Sequence, residues 1–240
     1  MNILSGFADI SLVQLLLVAG VALFASVVGG LAGYGTGALM PLVLVPMVGA
    51  EPVVPIIAIS SIFTNLSRTA AYLRYADRRR ALIVILAAAL TTALGAYGYT
   101  KLTSAGAALV IGTMLILSVP LRRLARRRDV RIGDTGLGVG AVGYGALVGG
   151  TSGSGVIATD AVISVATSII KISVFGLAGV VTAQVLALAI LIGGIALPGA
   201  FLARTFVERM PVHIHAAILD VAVIAGGVVM TSSTLRSFFG

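Results

Sequence analysis

From Ile10 to Ala50 the chain carries no charged residue. As one straight helix such a run would be ~60 Å long, about twice the ~30 Å hydrocarbon core of a bilayer, so it must break. The break is expected within Gly29-Gly30-Leu31-Ala32-Gly33-Tyr34-Gly35-Thr36-Gly37, which together with Pro41 and Pro46 is too rich in Gly and Pro for an ordinary helix interior. Broken backbone at membrane depth lines a protein-enclosed cavity. Apolar runs divided by short polar clusters predict spans at residues 12–31, 53–73, 81–100, 105–121, 135–149, 161–175, 180–202 and 212–231. The expected fold is an all-α polytopic membrane protein of about eight transmembrane helices.

Composition agrees with that pattern. Apolar residues make up 59% of the 240 and charged residues 10%, with a mean hydropathy of +1.14, values that a soluble domain with a water-facing surface does not tolerate. Eight spans with short loops leave no room for a second, soluble domain. The basic balance, a net charge of +8, does not make a nucleic-acid binder. Most of the cations fall in two short segments, 74–80 and 122–131, flanked by apolar runs, as cytoplasmic loops do under the positive-inside rule. That assignment puts both termini in the cytoplasm and the loops near Glu51, Lys101 and Glu208 outside, although Arg204 and Arg209 then lie on the less expected side. The absence of cysteine removes disulfides, thiolate metal sites and cysteine nucleophiles. The N-terminal apolar stretch lacks a preceding Lys or Arg and reads as a retained first span.

The chain also repeats. Gly35-Thr36-Gly37-Ala38-Leu39 has a counterpart in Gly153-Ser154-Gly155-Val156-Ile157, and each is followed by a polar-dotted stretch, Ser60 to Asn65 in the first half and Thr167 to Ile172 in the second. Gly95-Ala96-Tyr97-Gly98 is answered by Gly199-Ala200-Phe201-Leu202. Residues 1–128, with the Arg-rich loops, and 129–240 therefore read as two related four-helix halves of one membrane domain, each with a Gly-rich break or re-entrant segment.

Paired glycine breaks point to a transport site, because half-helix N-termini aim unpaired N–H groups at an anion; the plainer reading is close helix packing. The candidate substrate-binding residues are Gly35, Thr36, Gly37, Ser61, Thr64, Asn65, Ser152, Gly153, Ser154, Gly155, Thr167, Ser168 and Lys171. Lys171 stands in an apolar stretch, where an ammonium needs an anion, a carboxylate or water. It is read as an anion counter-charge, against snorkelling to the headgroups or pairing with Asp160. Asp160 directly follows the second glycine cluster and either caps a helix beginning at Ala161 or carries a proton in a coupled cycle. Asp220, in the last span, is a second proton-coupling candidate. Ser61, Thr64 or Asn65 and Arg68 share one helical face and suit a small oxyanion, or serve as interhelical glue, with Arg68 near the cytoplasmic end. His213 and His215, with only Glu208 and Asp220 nearby, do not make a metal site, and no nucleotide-binding loop, zinc-protease motif or nucleophile elbow occurs. No cofactor, metal or catalytic residue is expected.

Gly29-Gly-Leu-Ala-Gly-Tyr-Gly-Thr-Gly-Ala-Leu-Met-Pro41, the polar Ala58-Ile-Ser-Ser61 helix, the Arg-rich loop and Gly199-Ala-Phe-Leu-Ala-Arg204 together resemble the TauE/SafE family of sulfite and organosulfur exporters. The resemblance covers most of the chain. It implies seven or eight spans in two related halves and a transporter of small sulfur-containing anions, such as sulfite, thiosulfate or an organosulfonate, in a bacterial cytoplasmic (inner) membrane. The chain departs from the pattern where Thr159-Asp160 stands in place of Pro41-Leu42. A passive anion channel and a non-transporting assembly or sensor subunit are the rival readings; an enzyme is not expected. The expected partners are the small anion, the lipid bilayer and, compatibly, a second copy of the chain.

Overall fold

The computed structural model describes residues 3–8, 10–32, 35–72, 74, 76–127 and 154–207, with 221, 224, 226–228, 231 and 232. Among them the regular structure is helical throughout. A 3-10 turn, Ile3–Phe7, precedes α1 (Leu12–Ala32), α2 (Gly35–Val48), α3 (Val53–Tyr72), α4 (Arg78–Tyr99), α5 (Ser104–Arg127), α6 (Ser154–Leu177) and α7 (Ala183–Val207). Among the described residues three helices are long and apolar enough to cross a membrane, over Val53–Ala70, Ala81–Tyr99 and Thr159–Leu177. The predicted span at 135–149 and most of that at 212–231 lie outside the described residues.

Local chemistry sets the helix ends. Ser11 and Gln14 form a reciprocal capping box at the start of α1, the Gln14 N–H donating to Ser11 Oγ and the Ser11 N–H to Gln14 Oε1. Thr103 and Thr182 accept in the same way from Gly106 and Val185 at the starts of α5 and α7. Gly49, just past α2, and Gly179, just past α6, take positive φ angles of 82° and 72°, which a side chain would resist.

The first apolar run divides in a narrower place than its composition implied. Gly29 and Gly30 continue α1, and Pro41 and Pro46 lie inside α2, leaving only the step from Ala32 to Gly35 between helices. A proline removes one N–H and crowds the carbonyl four residues back, a local defect that neighbouring membrane helices tolerate. The second half differs again. Ser154, Gly155, Thr167 and Ser168 all belong to the single helix α6, whereas in the first half the glycine cluster and the polar stretch are on α2 and α3 with a turn between.

Helix α3 sits between α6 and α7, α1 packs on α2 and α7, and α4 on α6. Helix α4 shows how an apolar helix sorts its faces. Small Ala81, Val84 and Ala88 meet Ile163 of α6, while Leu82, Leu86, Leu90 and Leu94, four residues apart, are exposed as a lipid-facing stripe. Small residues inside and large ones outside are what packing demands when lipid is as apolar as leucine. On the other side of α3, the Phe63 ring lies so close over Gly193 of α7 that any Cβ there would overlap it.

Candidate functional site

Helix α3 carries seven polar residues, Ser60, Ser61, Thr64, Asn65, Ser67, Arg68 and Thr69, within its membrane-length apolar window; Ser60, Asn65, Ser67 and Arg68 are buried, and Ser61 is half-buried. Opposite them on α6, Asp160, Ser164, Thr167 and Lys171 recur at intervals of four, three and four, a stripe along one face. The two helices run antiparallel. Arg68 meets Asp160, Ser61 meets Ser168, and Ala58 packs with Phe175, so descending α3 accompanies ascending α6.

At the middle of this seam Ser61 Oγ and Ser168 Oγ are 2.9 Å apart. Both residues stand at the midpoints of their windows, Val53–Ala70 and Thr159–Leu177. A hydroxyl has one proton. Ser61 Oγ also lies 2.8 Å from the Ala58 carbonyl, so its one proton goes either there, with Ser168 donating to Ser61, or to Ser168. Thr64 likewise donates to the Ser61 carbonyl at 3.0 Å and Thr167 to that of Ser164 at 3.2 Å. The candidate hydroxyls therefore turn their protons to protein in this conformation, and an anion would have to draw them away.

One end of the seam is ionic. Arg68 Nη2 donates to Asp160 Oδ2 at 3.3 Å and Nη1 to Asn65 Oδ1 at 3.3 Å, while Nε is buried without a hydrogen-bond partner among the described residues. The neighbouring Asp77 N–H donates to Thr159 Oγ1 at 3.0 Å, tying this end to the Arg-rich connection before α4. The other end is closed by apolar and aromatic packing. Phe175 is fully buried against Ala58 and Ala96, and its ring meets Tyr99 edge-on at 6.4 Å. Tyr99 in turn donates its hydroxyl to the Ala50 carbonyl at 2.6 Å.

Asp160 does not cap a helix. Helix α6 begins at Ser154, which leaves the carboxylate inside the helix with its backbone N–H already within the hydrogen-bonded ladder. Nor does Asp160 pair with Lys171, since its partner is Arg68. Arg68 is a buried ionic residue, 8% exposed, and not a solvated end charge. Its carboxylate partner, distant in the chain, carries no local signal in the sequence. Lys171 is half-buried one turn beyond Ser168, in the half of the span away from the Arg-rich connection, and makes no hydrogen bond or ion pair among the described residues.

The glycine clusters are seen in part. Gly35, Thr36 and Gly37 form the first turn of α2, with Thr36 half-buried and Gly37 exposed. A Cβ added at Gly37 would meet nothing within 4 Å, so close packing does not require that glycine. No hydrogen bond joins this turn to the α3–α6 seam among the described residues. Ser154 and Gly155 form the first turn of α6; Ser152, Gly153, Asp220, His213 and His215 lie outside the described residues. Among the described residues no group of three or more His, Cys, Asp or Glu side chains is placed to hold a metal ion.

In comparison with known proteins, the family model described as Sulfite exporter TauE/SafE aligns with residues 18–230. No curated protein and no solved structure matches the chain.

Proposed function

Because the chain belongs to the TauE/SafE sulfite exporter family, a family of membrane transporters, we propose that it is a secondary transporter carrying a small sulfur-containing anion across the cytoplasmic membrane. Sulfite, thiosulfate and organosulfonates are the cargo class. The observation that carries this reading is a charge imbalance. Among the described residues of the three membrane-length windows there are two cations, Arg68 and Lys171, and one anion, Asp160. Arg68 and Asp160 take each other. Lys171 is left with an ammonium in an apolar span, which is costly unless an anion or water joins it.

A sulfur oxyanion beside Lys171 offsets that charge, and the Ser61, Thr64, Asn65, Thr167 and Ser168 side chains supply hydroxyl and amide groups along the same seam. The first turns of α2, at Gly35 to Gly37, and of α6, at Ser154 and Gly155, add N–H groups and positive dipole ends at other points of the path, the first turn of α6 lying about 25 Å along that helix from Lys171. Alternating access follows from residues 1–128 and 129–240 rocking as two halves of one membrane domain, with both termini in the cytoplasm. The proton gradient or the membrane potential supplies direction, with Asp160 and Asp220 the candidate proton carriers.

The test is uptake of radiolabelled sulfite, thiosulfate and sulfoacetate into proteoliposomes holding the full chain. Saturable uptake with counterflow of one anion, lost in Lys171→Met and partly kept in Lys171→Arg, is expected. Undiminished flux through Lys171→Met would remove the counter-charge role, and conductance without counterflow would make the protein a channel.

A further inference from the structure

The Arg68 guanidinium is incompletely satisfied in a place where that is unusual. The residue is 8% exposed, and of its five N–H donors the structure employs two, one of Nη1 on Asn65 and one of Nη2 on Asp160, while Nε is buried with no partner among the described residues. The contact with Asp160 uses one carboxylate oxygen at 3.3 Å, longer than the about 2.7–2.9 Å of a strong charge-assisted bond and lacking the second arm of a fork. A buried guanidinium held by two long contacts, only one of them ionic, is prepared to change partner.

We propose that Arg68 exchanges Asp160 for the transported oxyanion, and that Asp160 takes up a proton as it is released, so that one anion and one proton move together. The inference rests on the transport reading above and deepens it: Lys171 and Arg68 are successive stations of the anion, about 16 Å apart along α6. An anion with three oxygens on sulfur can accept from Nε and Nη2 side by side, a geometry that Lys171 cannot offer. The balance is simple. In the resting seam Arg68 is positive and Asp160 negative; in the loaded seam Arg68 is positive, the bound oxyanion negative and Asp160 a neutral carboxylic acid. The Arg68–carboxylate contact breaks, the Arg68–oxyanion contact forms, and the carboxylate gains an O–H. The charge carried inside the membrane is then unchanged by loading a monoanion.

The surroundings favour Asp160 as the group that titrates. Arg68 faces it from α3. From the α4 side the nearby charges are Asp77, Arg78 and Arg79, all exposed at the start of that helix, and Lys171 lies three turns farther along α6. The Asp77 backbone bond to Thr159 places Asp160 at the end of the seam beside this polar connection, where a proton can reach it from water.

The experiment uses the full chain in lightly buffered proteoliposomes and in detergent solution, with sulfite, thiosulfate and sulfoacetate as probes. An imposed pH gradient of one unit is expected to raise wild-type accumulation by up to about tenfold for one coupled proton. In Asp160→Asn the ratio falls to ~1, because the amide cannot carry the proton whose free energy sets that tenfold factor. Binding of thiosulfate, an anion that does not itself titrate near neutral pH, is expected to take up protons from solution with the solubilised wild type and none with Asp160→Asn. Arg68→Gln should lose anion binding, with Arg68→Lys restoring part of it. Full pH-driven accumulation by Asp160→Asn, or wild-type binding without proton uptake, overturns the exchange. The wild-type proton measurement decides the matter even where a variant does not fold. Wild-type flux of an anion that ignores the pH gradient rejects this proposal alone, whereas no wild-type flux of any probe rejects the transport reading beneath it.

Discussion

Ser61 Oγ and Ser168 Oγ lie 2.9 Å apart at the midpoints of the two apolar windows that carry them. Either hydroxyl can donate to the other, and Ser61 Oγ also reaches the Ala58 carbonyl at 2.8 Å. The pair joins α3 to α6 at the level where a transported ion must cross, and it is both a structural bond and a possible set of acceptors and donors for cargo. A double-mutant cycle with Ser61→Ala and Ser168→Ala, read by unfolding in mixed micelles, is expected to return a coupling of about 0.6 kcal/mol, as for other interhelical hydrogen bonds in membranes. Zero coupling would show that the two hydroxyls are not bonded.

The Arg68–Asp160 pair should behave as a buried ion pair. Replacing either residue alone with Leu leaves the other charge uncompensated and is expected to lower stability by about 3–5 kcal/mol. The double replacement removes both charges and should recover most of that loss. Thermal unfolding of the three purified variants checks this; a double variant as unstable as the worse single one would contradict it.

At the crossing of α3 and α7, Gly193 leaves room for Phe63 and nothing more. Gly193→Val is therefore expected to destabilise by about 1–3 kcal/mol through overpacking, and a compensating Phe63→Ala to relieve part of the loss. Equal stability of Gly193→Val and the wild type, in the same unfolding assay, would mean that the helices do not meet there.

Gly37 makes the opposite prediction. A Cβ there meets open space, and alanine is favoured over glycine in a helix by about 1 kcal/mol. Gly37→Ala should therefore leave stability unchanged or slightly higher. If the first turn of α2 approaches the anion, sulfite uptake in proteoliposomes should fall all the same. Unchanged uptake would assign Gly37 no part in transport.

Much of the helical frame was readable from residue order alone, and the reason is the solvent. A bilayer leaves no backbone group unpaired, so long apolar runs must become helices, and polar clusters with Gly, Thr or Ser at their edges must become the turns between them. That is why α1, α3, α4 and α5 begin within a few residues of their expected positions. The same logic singled out Lys171 and the polar face of α3, since charge and hydroxyls in such runs are conspicuous wherever they occur.

Three features depended on tertiary structure. The prolines of α2 were tolerated within a helix because neighbouring segments support it. Asp160 stood next to a glycine cluster and looked like a cap, but α6 starts earlier, at Ser154, and carries the carboxylate inward to Arg68. Most of all, the contacts of Ser61 with Ser168 and of Arg68 with Asp160 join residues far apart in the chain. Helical periodicity determines which side chains share a face on one helix; it carries no information about which other helix that face will meet. The sequence alone determined a membrane protein with polar groups in its spans, and only the packing of α3 against α6 decided which of them became partners, because that choice is made by shape and by the shared cost of burying charge, not by any neighbour along the chain.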